Sequence, residues 1–511
     1  MVQTVSLIAL AIFVVIMVMI GYYTRHNSKT MNDFLLGGRN LGPWLSAFAY
    51  GTTYFSAVIF IGYAGKTGWQ VGIAGIWIGV ANAIIGALLS WFILAKKTRR
   101  MTHKLNASTM PEFFEARFLS QPMKIYSAII IFIFLVPYCA TVYKGLGYLF
   151  SQVFPIFNGL IPGIEPEIYC MFIIAILTAI YLVLGGYVAT AITDFVQGII
   201  MIVGVVVMVM VIVSRPEVGG LATGLAKLKE ISPDLVSPTG GKMWSFLVMN
   251  ILLTSFGTWG LPQMIHKFYA IKDEKSIPKA ATVTTIFAVT ISAGAYFVGT
   301  FGRLYLNNTL PKGNNFDAIV PEMLNVALSN GIFYNILFSI ILLLVLSASM
   351  STLSSVVLTS SSAIAVDLVG AVNPNYDKKK QMVLMRSLCF IFVALSFVFA
   401  SMKIGFIMQL MSFSWGVVSG SFIGPYFWGL YSKKITKVGA WAGMLSGLVV
   451  VGGATLYCTL FIANGFEIAK SLSQNFGVTA MAVSFIVTPV VSAFTTKYSN
   501  THIENVYEII A

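Results

Sequence analysis

A cluster of hydroxyl side chains interrupts an otherwise apolar part of the chain. Ten of the eighteen residues from Leu346 to Ala363 are serine or threonine, and they follow the hydrocarbon segment ILFSIILLLV. Neutral hydroxyl oxygens can bind a hard cation without burying a full negative charge, because such cations prefer oxygen ligands. The pattern indicates a cation site inside an apolar helix. Alternatively, the serines bond the carbonyls of the preceding helical turn.

The elements that must position these hydroxyls are membrane helices. The chain has 511 residues, of which 57% are hydrophobic and 10% charged. A helix needs about 20 apolar residues to cross a bilayer, so the apolar segments predict an all-α polytopic membrane protein with about thirteen spans. The predicted spans are 5–23, 43–66, 69–95, 124–150, 165–184, 186–213, 243–268, 278–304, 332–367, 383–402, 404–430, 437–463 and 476–495.

Four basic runs fall on one side of the membrane if thirteen spans alternate. They are KKTRR (96–100), HKFYAIKDEKSIPK (266–279), DKKKQ (377–381) and SKKITK (432–437). Because basic loops stay in the cytoplasm, we expect an inner (plasma) membrane protein with its N-terminus outside and a short cytoplasmic tail over 501–511. The formal net charge of +14 then faces anionic lipid, and no nucleic-acid partner is expected.

The predicted spans offer few groups that could catalyse a reaction. No sequence pattern typical of a nucleophile, zinc site or phosphate-binding loop occurs, and the cysteines and histidines are dispersed. We therefore expect that the protein is not an enzyme. A membrane solute sensor and a passive channel are the less favoured alternatives, since a channel would need charged rings or carbonyl loops.

Two spans carry helix-breaking residues in mid-membrane. Residues 42–62 read GPWLSAFAYGTTYFSAVIFIG, and residues 252–268 read LLTSFGTWGLPQMIHKF. Interrupted backbone is tolerated at membrane depth only where it is buried in protein or lines a cavity. A pair of interrupted spans in corresponding positions is typical of transporters built from inverted repeats. The spacing therefore favours transport, with a pair of packing kinks as the alternative.

Asp194 is a carboxylate predicted to lie within a span. It belongs to the segment GGYVATAITDFVQG (185–198). An ionisable side chain at membrane depth is costly and by default marks a functional site. The alternative is that Asp194 caps neighbouring serine or threonine groups at a helix junction.

Three motifs together resemble the sodium:solute symporter family, in particular its bacterial sodium/proline branch. They are GGYVATAITDFVQ, ASMSTLSSVVLTSSSAIAVDL and FLLGGRNLGPW, within a resemblance from about residue 5 to residue 460. The resemblance implies sodium-driven uptake of a small organic solute and a leucine-transporter-type fold. A single transmembrane domain would cover 1–500, with inverted five-helix repeats at about 42–213 and 243–430 and extra helices at 5–23, 437–463 and 476–495.

The resemblance also implies sodium (Na+) ligands. The first site would use the backbone carbonyls of Thr52, Phe55 and Ala348 and the hydroxyls of Ser351 and Thr352. A helix break over 51–53 would free these carbonyls.

A second sodium occurs in some family members and would lie here beside Asp194, Ser354 and Ser355. Hydroxyls and carbonyls do not titrate near neutral pH, whereas proton relays use carboxylates or histidines. We therefore expect sodium rather than a proton as the coupling ion.

By the same analogy, the substrate would bind between the two broken spans. The candidate lining residues are Tyr54, Ser56, Asn82, Tyr138, Thr258, Trp259, Ser412 and Ser414. Proline transporters carry an aromatic pair where this chain has Thr254 and Thr258, and an aspartate where it has Tyr54, so proline is left open. Sugar members carry glutamine and glutamate near Ile59 and Gly79, which disfavours the alternative of a sodium/sugar symporter.

Lys144 is an unusual charge near the outer end of the predicted fourth span, in CATVYKGLGYLF. Either its long side chain reaches the membrane interface, or its ammonium attracts or binds a substrate carboxylate. With the second interpretation, the sequence favours a small amino acid or a monocarboxylate as the substrate. The chain is expected to function as a monomer.

Overall fold

The computed structural model is helical, and it describes residues 2–24, 30–154, 164–328, 331–402 and 404–507. The main helices are α1 (Val2–Thr24), α2 (Pro43–Tyr54), α3 (Val58–Lys104), α4 (Gln121–Val153), α5 (Pro166–Ser214), α6 (Trp244–Gly257), α7 (Pro262–Ala270), α8 (Ile277–Thr300), α9 (Ile332–Val372), α10 (Lys378–Ser401), α11 (Ile407–Tyr431), α12 (Lys437–Phe461), α13 (Ser473–Ala493) and α14 (Asn500–Tyr507). Shorter helices in the connections are Met31–Leu36, Met110–Phe118, Leu221–Ile231, Ile319–Ala327 and Gly465–Ser471.

The predicted class, an all-α polytopic membrane protein, is confirmed. Within the described ranges, 11 helices are long and apolar enough to cross a membrane, so the predicted number of thirteen is approximate. The predicted spans 43–66 and 165–184 are not among the 11: the first is divided between α2 and the start of α3, and of the second only the shorter apolar helix Pro166–Ala179 is counted. Two of the long helices also bend. Helix α3 turns at Gly72, with φ 58° and ψ −132°, and α5 turns at Gly186, with φ 62° and ψ −177°. A positive φ is readily adopted only by glycine, so each long helix changes direction at that residue.

The first predicted break lies between α2 and α3. Helix α2 ends at Tyr54, and Phe55 is extended, with φ −112° and ψ 119°. The helix resumes from Ala57 onward, with a π-helical turn over Val58–Tyr63. The break thus follows the predicted position at 51–53 by two to four residues, and Gly51 itself is helical.

The second predicted break lies between α6 and α7. Helix α6 ends at Gly257, and α7 begins at Pro262 after an extended Leu261, with φ −83° and ψ 121°. Proline suits the first position of a helix because it lacks the N–H that would have no partner there. Both predicted broken helices are therefore present in the structure.

The broken ends lie inside the helix bundle. Helix α2 packs against α5, α7, α8 and α9, and the residues from Ser46 to Tyr54 are buried. The start of α2 is joined to the end of α7 by backbone hydrogen bonds, from Leu41 N to Ala270 O (3.1 Å) and from Lys272 N to Leu41 O (3.0 Å). Two breaks far apart in the sequence are thereby held side by side.

Two of the basic runs meet at one end of the bundle. Arg99 donates to the carbonyls of Ile271 (3.0 Å) and Lys272 (2.6 Å). Arg100 binds Glu274 through two hydrogen bonds, of 2.6 and 3.0 Å. The runs 96–100 and 266–279 therefore lie on the same face, as the alternation of spans predicts.

Candidate functional site

The break after α2 leaves two carbonyls without helical partners. In an unbroken helix, the N–H groups of residues 56 and 57 would bond the carbonyls of Thr52 and Thr53. Here the Ala57 N–H instead donates to Ser349 Oγ (3.3 Å). The carbonyls of Thr52 and Thr53 are therefore available to groups from other helices.

Hydroxyls of α9 occupy the place of the missing helical donors. Ser351 Oγ donates to Thr52 O at 3.0 Å, and Thr352 Oγ1 lies 3.2 Å from the carbonyls of both Thr52 and Thr53. Both hydroxyls also reach the Ala348 carbonyl at 3.1 Å. Thr52, Ala348, Ser351 and Thr352 are all fully buried. Four of the five residues predicted for the first sodium site are thus in mutual contact.

Phe55, the fifth predicted residue, stands at the break itself. Its N–H closes the last turn of α2 by donating to Gly51 O at 3.3 Å. Phe55 also lines the small cavity described below. The predicted first sodium site and the cavity therefore share Phe55.

The residues predicted for a second sodium are only partly brought together. Ser355 Oγ lies 2.8 Å from the hydroxyl of Thr53 and belongs to the same buried region as Asp194. The Ser354 hydroxyl instead donates to Ser351 O within α9 at 2.8 Å. The assignment of Ser354 to a second ion site therefore stays a prediction.

Lys267 is a residue that the sequence analysis placed wrongly. It was counted with the basic loop 266–279, but it lies in α7 with only 2% of its side chain exposed. Its Nζ is 3.8 Å from Asp194 Oδ2, donates to Ser355 Oγ at 2.9 Å and lies 5.1 Å from the centre of the Tyr187 ring. A buried lysine therefore stands at the centre of the predicted second ion site.

A small cavity lies between the broken helices. Its volume is about 20 Å³, which is room for about one water molecule. Four predicted substrate residues, Tyr54, Ser56, Asn82 and Tyr138, line it. The other lining residues are Phe55, Val58, Ile59, Tyr63, Thr254, Tyr296, Met411 and Trp415. The cavity is thus lined by aromatic rings and a few neutral polar groups.

Asn82 links α3 to α6 in the wall of this cavity. Its side-chain oxygen accepts hydrogen bonds from Thr254 Oγ1 (2.8 Å) and Ser255 Oγ (3.0 Å). Tyr54 from the broken α2 donates to the Thr254 carbonyl at 2.8 Å. Asn82 also begins a π-helical stretch of α3, a local geometry often found at functional sites.

Four more predicted substrate residues bond to backbone carbonyls, either of their own helix or of a neighbouring one. Thr258 donates to Ser255 O at 3.0 Å, and Trp259 Nε1 donates to Ile85 O at 3.0 Å. Ser412 donates to Met408 O at 2.6 Å, and Ser414 donates to the carbonyl of Phe134. None of these four residues is among those that line the cavity in the described part of the chain.

Lys144 lies outside the cavity and is buried, with 6% of its surface exposed. Its ammonium donates to the carbonyl of Gly405, and it also interacts electrostatically with Asp317 in the loop before α9. Asp317 accepts a hydrogen bond from the Ile407 N–H at 3.0 Å. Burial raises the pKa of Asp317, and Lys144 and the Ile407 N–H oppose that rise. Lys144 thus joins α4 to the segments around Gly405 and Asp317 at the predicted extracellular end.

The comparison with known families agrees with this arrangement. The sequence profile of the sodium:solute symporter family matches residues 34–447. The chain belongs to the sodium:solute symporter family. The resemblance stated from the three sequence motifs is therefore confirmed.

Relatives of this family member include bacterial proline transporters. The osmoregulated proline transporter OpuE of Bacillus subtilis is 28% identical over 497 residues, covering 96% of this chain and 95% of the relative. The high-affinity proline transporter PutP of Bacillus subtilis is 29% identical over 440 residues, with 85% and 89% covered. A sodium/proline symporter of Staphylococcus aureus is 28% identical over 519 residues, with 98% and 96% covered.

Solved structures with the same architecture include two transporters. A Na+-coupled sialic acid symporter in a substrate-bound outward-open state superposes with a TM-score of 0.74 at 17% identity, covering 97% of this chain and 99% of that chain. The nucleobase–cation symporter Mhp1 in a closed conformation gives 0.54 at 14% identity, with 92% and 97% covered. These similarities concern the fold, and they confirm the predicted leucine-transporter-type architecture.

Proposed function

We propose that this protein takes up a small amino acid or a monocarboxylate together with sodium by alternating access, with proline as the first candidate. The observation that carries the proposal is the contact between the freed carbonyls of Thr52 and Thr53 and the hydroxyls of Ser351 and Thr352. Family membership and the proline-transporting relatives support both the coupling ion and the solute class.

The oxygen cluster suits sodium on chemical grounds. Its ligands would be the carbonyls of Thr52, Phe55 and Ala348 and the hydroxyls of Ser351 and Thr352. The two hydroxyls now donate to carbonyls 3.0–3.2 Å away. A hydroxyl can rotate and present its oxygen to a cation, so an entering ion would replace these hydrogen bonds with oxygen coordination. Unwound backbone carbonyls serve the same purpose in other transporters with broken helices.

The cavity is where we place the solute. At about 20 Å³ it must widen to admit an amino acid, and the breaks at the ends of α2 and α6 are where these helices can move. The residues that line the cavity in the described part of the chain are all neutral. A substrate carboxylate would therefore find its positive partner in the sodium ion itself, beside Phe55. Such a contact would couple ion binding and solute binding directly.

Two kinds of group that could recognise a carboxylate, backbone N–H groups and the Lys144 ammonium, already have partners in the structure. The N–H groups that open α3 are already engaged, since Ala57 donates to Ser349 Oγ and Val58 to Ser56 Oγ at 3.2 Å. Lys144 is bound to Gly405 and lies near Asp317. We therefore assign to the bound ion, rather than to Lys144, the role of attracting the carboxylate.

We further propose a bacterial plasma-membrane location, with the N-terminus outside, the C-terminus in the cytoplasm and the monomer as the working unit. The contact of Arg99 and Arg100 with residues 271–274 supports a common face for two basic runs. Tyr507 of α14 lies on the end of α11, donating to Gly429 O at 2.6 Å. The basic run 432–437 follows directly, which supports a cytoplasmic position for α14.

A thermal-shift screen of the purified protein tests the proposed substrate class. Proline, other small amino acids, short monocarboxylates and hexoses would each be added in sodium chloride and in potassium chloride. Because a ligand that binds only the native state raises the melting temperature, we expect proline or a related carboxylate to raise it only in sodium. A sodium-dependent rise with hexoses alone would contradict the proposed solute class, and a rise that is equal in potassium would contradict sodium coupling.

A further inference from the structure

The contacts of Lys267 bear on the number of sodium ions that the protein carries. Four elements meet at its ammonium: α5 with Asp194, α9 with Ser355, α2 with Thr53, and α7 with Lys267 itself. The ammonium is 3.8 Å from Asp194 Oδ2 and 2.9 Å from Ser355 Oγ, and Ser355 Oγ is 2.8 Å from Thr53 Oγ1. The lysine occupies the space among the oxygens that a second sodium would use.

Asp194 depends on this lysine for its charge balance. Both carboxylate oxygens are buried, and no hydrogen-bond donor among the described residues contacts them within bonding distance. The distance of 3.8 Å to Lys267 Nζ is that of an ion pair rather than of a hydrogen bond. A buried carboxylate without a cation is strongly unfavourable, so Lys267 supplies the positive charge that Asp194 requires.

A second sodium at this place would meet an adjacent positive charge. Ser355 already accepts a hydrogen bond from the ammonium, so its oxygen is engaged. The repulsion between the ammonium and a sodium ion about 4 Å away, at an effective dielectric constant of about 20, would weaken binding of that ion by roughly a thousandfold. The proposed first sodium site is repelled less by the ammonium, because its ligand Ser351 lies one helical turn from Ser355 along α9.

We propose that the ammonium of Lys267 takes the place of a second coupling ion, so that the protein binds one sodium per molecule. This inference rests on the proposed sodium-coupled function. Oxygens that could bind a second ion are present in Asp194, Ser355 and Thr53, and the lysine ammonium lies among them.

Removal of the ammonium should therefore create an ion site. In Lys267→Met the unbranched apolar side chain keeps much of the lysine stem, and Asp194 loses its counter-charge. The carboxylate and the hydroxyls of Ser355 and Thr53 then form an oxygen set suited to a hard cation. We expect Lys267→Met to bind two sodium ions where the native protein binds one.

The test is to count bound ions on the purified full-length protein by equilibrium binding of radioactive sodium, which needs no knowledge of the solute. We expect one ion for the native protein and for Lys267→Arg, and two for Lys267→Met. The double variant Asp194→Asn/Lys267→Met should bind one, because it lacks both charges. The melting temperature of each variant shows that it is folded.

The outcomes separate this inference from the proposed function. Two ions on the native protein, or one ion on folded Lys267→Met, would overturn the role of Lys267 while leaving sodium coupling intact. If Lys267→Met does not fold, the count on the native protein decides, with one ion in favour and two against. Absence of sodium binding to the native protein would overturn the proposed function, and this inference with it.

Discussion

Replacing Ser351 or Thr352 by alanine is expected to raise the sodium concentration needed for half-maximal transport by about tenfold to a hundredfold. Each substitution removes one oxygen from the cluster around Thr52 O, whose residues are fully buried. A hydrogen bond or contact to a charged group contributes about 1.5–3 kcal/mol, and about 1.4 kcal/mol corresponds to a factor of ten. Sodium dependence should be measured at saturating substrate.

A matched control is available on the same helix. Ser362 Oγ donates to the Thr359 carbonyl at 2.8 Å and lies about three turns beyond Ser351, so Ser362→Ala should leave the sodium dependence unchanged. If Ser351→Ala and Thr352→Ala changed only the substrate concentration for half-maximal transport, these hydroxyls would not be ion ligands.

The second large effect is expected at Asn82. Leucine has nearly the shape of asparagine but cannot form its hydrogen bonds, so Asn82→Leu would leave the hydroxyl of Ser255 without its acceptor in the cavity wall. We expect the substrate concentration for half-maximal transport to rise by at least about tenfold, since lost polar partners in a buried site are costly. Sodium binding measured without substrate should change much less.

Asn335→Leu is the corresponding control. Asn335 is also buried, with 5% of its surface exposed, but it lies in α9 outside the residues that line the cavity. Its substitution should leave substrate affinity near the native value. Equal loss of substrate affinity in both variants would mean that Asn82 acts through general stability rather than through the solute site.

The broken helices could be predicted from the sequence, whereas the exact break in α2 could not. Gly51 looked like the residue that interrupts the helix, yet it lies within the helix. A methyl group on Gly51 would lie 2.5 Å from the Phe287 ring, so this glycine permits close packing between α2 and α8. A sequence pattern does not distinguish a glycine needed for packing from one that ends a helix.

Lys267 could not be located from charge runs alone. It follows His266 in a segment that continues into Lys272 and Lys275, and basic residues near the end of a span normally belong to a loop. Its partner Asp194 is distant in the sequence, and the two residues meet where α5 and α7 both pack against α2. The sequence gives one indication of this position, namely Asp194. A carboxylate inside a span requires a partner of opposite charge, so a basic residue is expected nearby.

Only some of the predicted substrate residues line the cavity. Asn82 and Tyr138 line the cavity, but Trp259 and Ser414 bond to neighbouring helices instead. When the residue that interrupts a helix is unknown, the helical period does not predict which side chains beyond the break face the cavity. Trp415, which does line the cavity, directly follows Ser414 in the same predicted span.

Sodium-driven accumulation in proteoliposomes tests the central claim most directly. The solute should be the one with the largest sodium-dependent thermal shift, with radioactive proline tried first. We predict accumulation inside the vesicles above the outside concentration when sodium is imposed outside only, and none above equilibrium when sodium is equal on both sides or replaced by potassium. Equilibration of the solute at the same rate with and without sodium would contradict sodium-coupled symport.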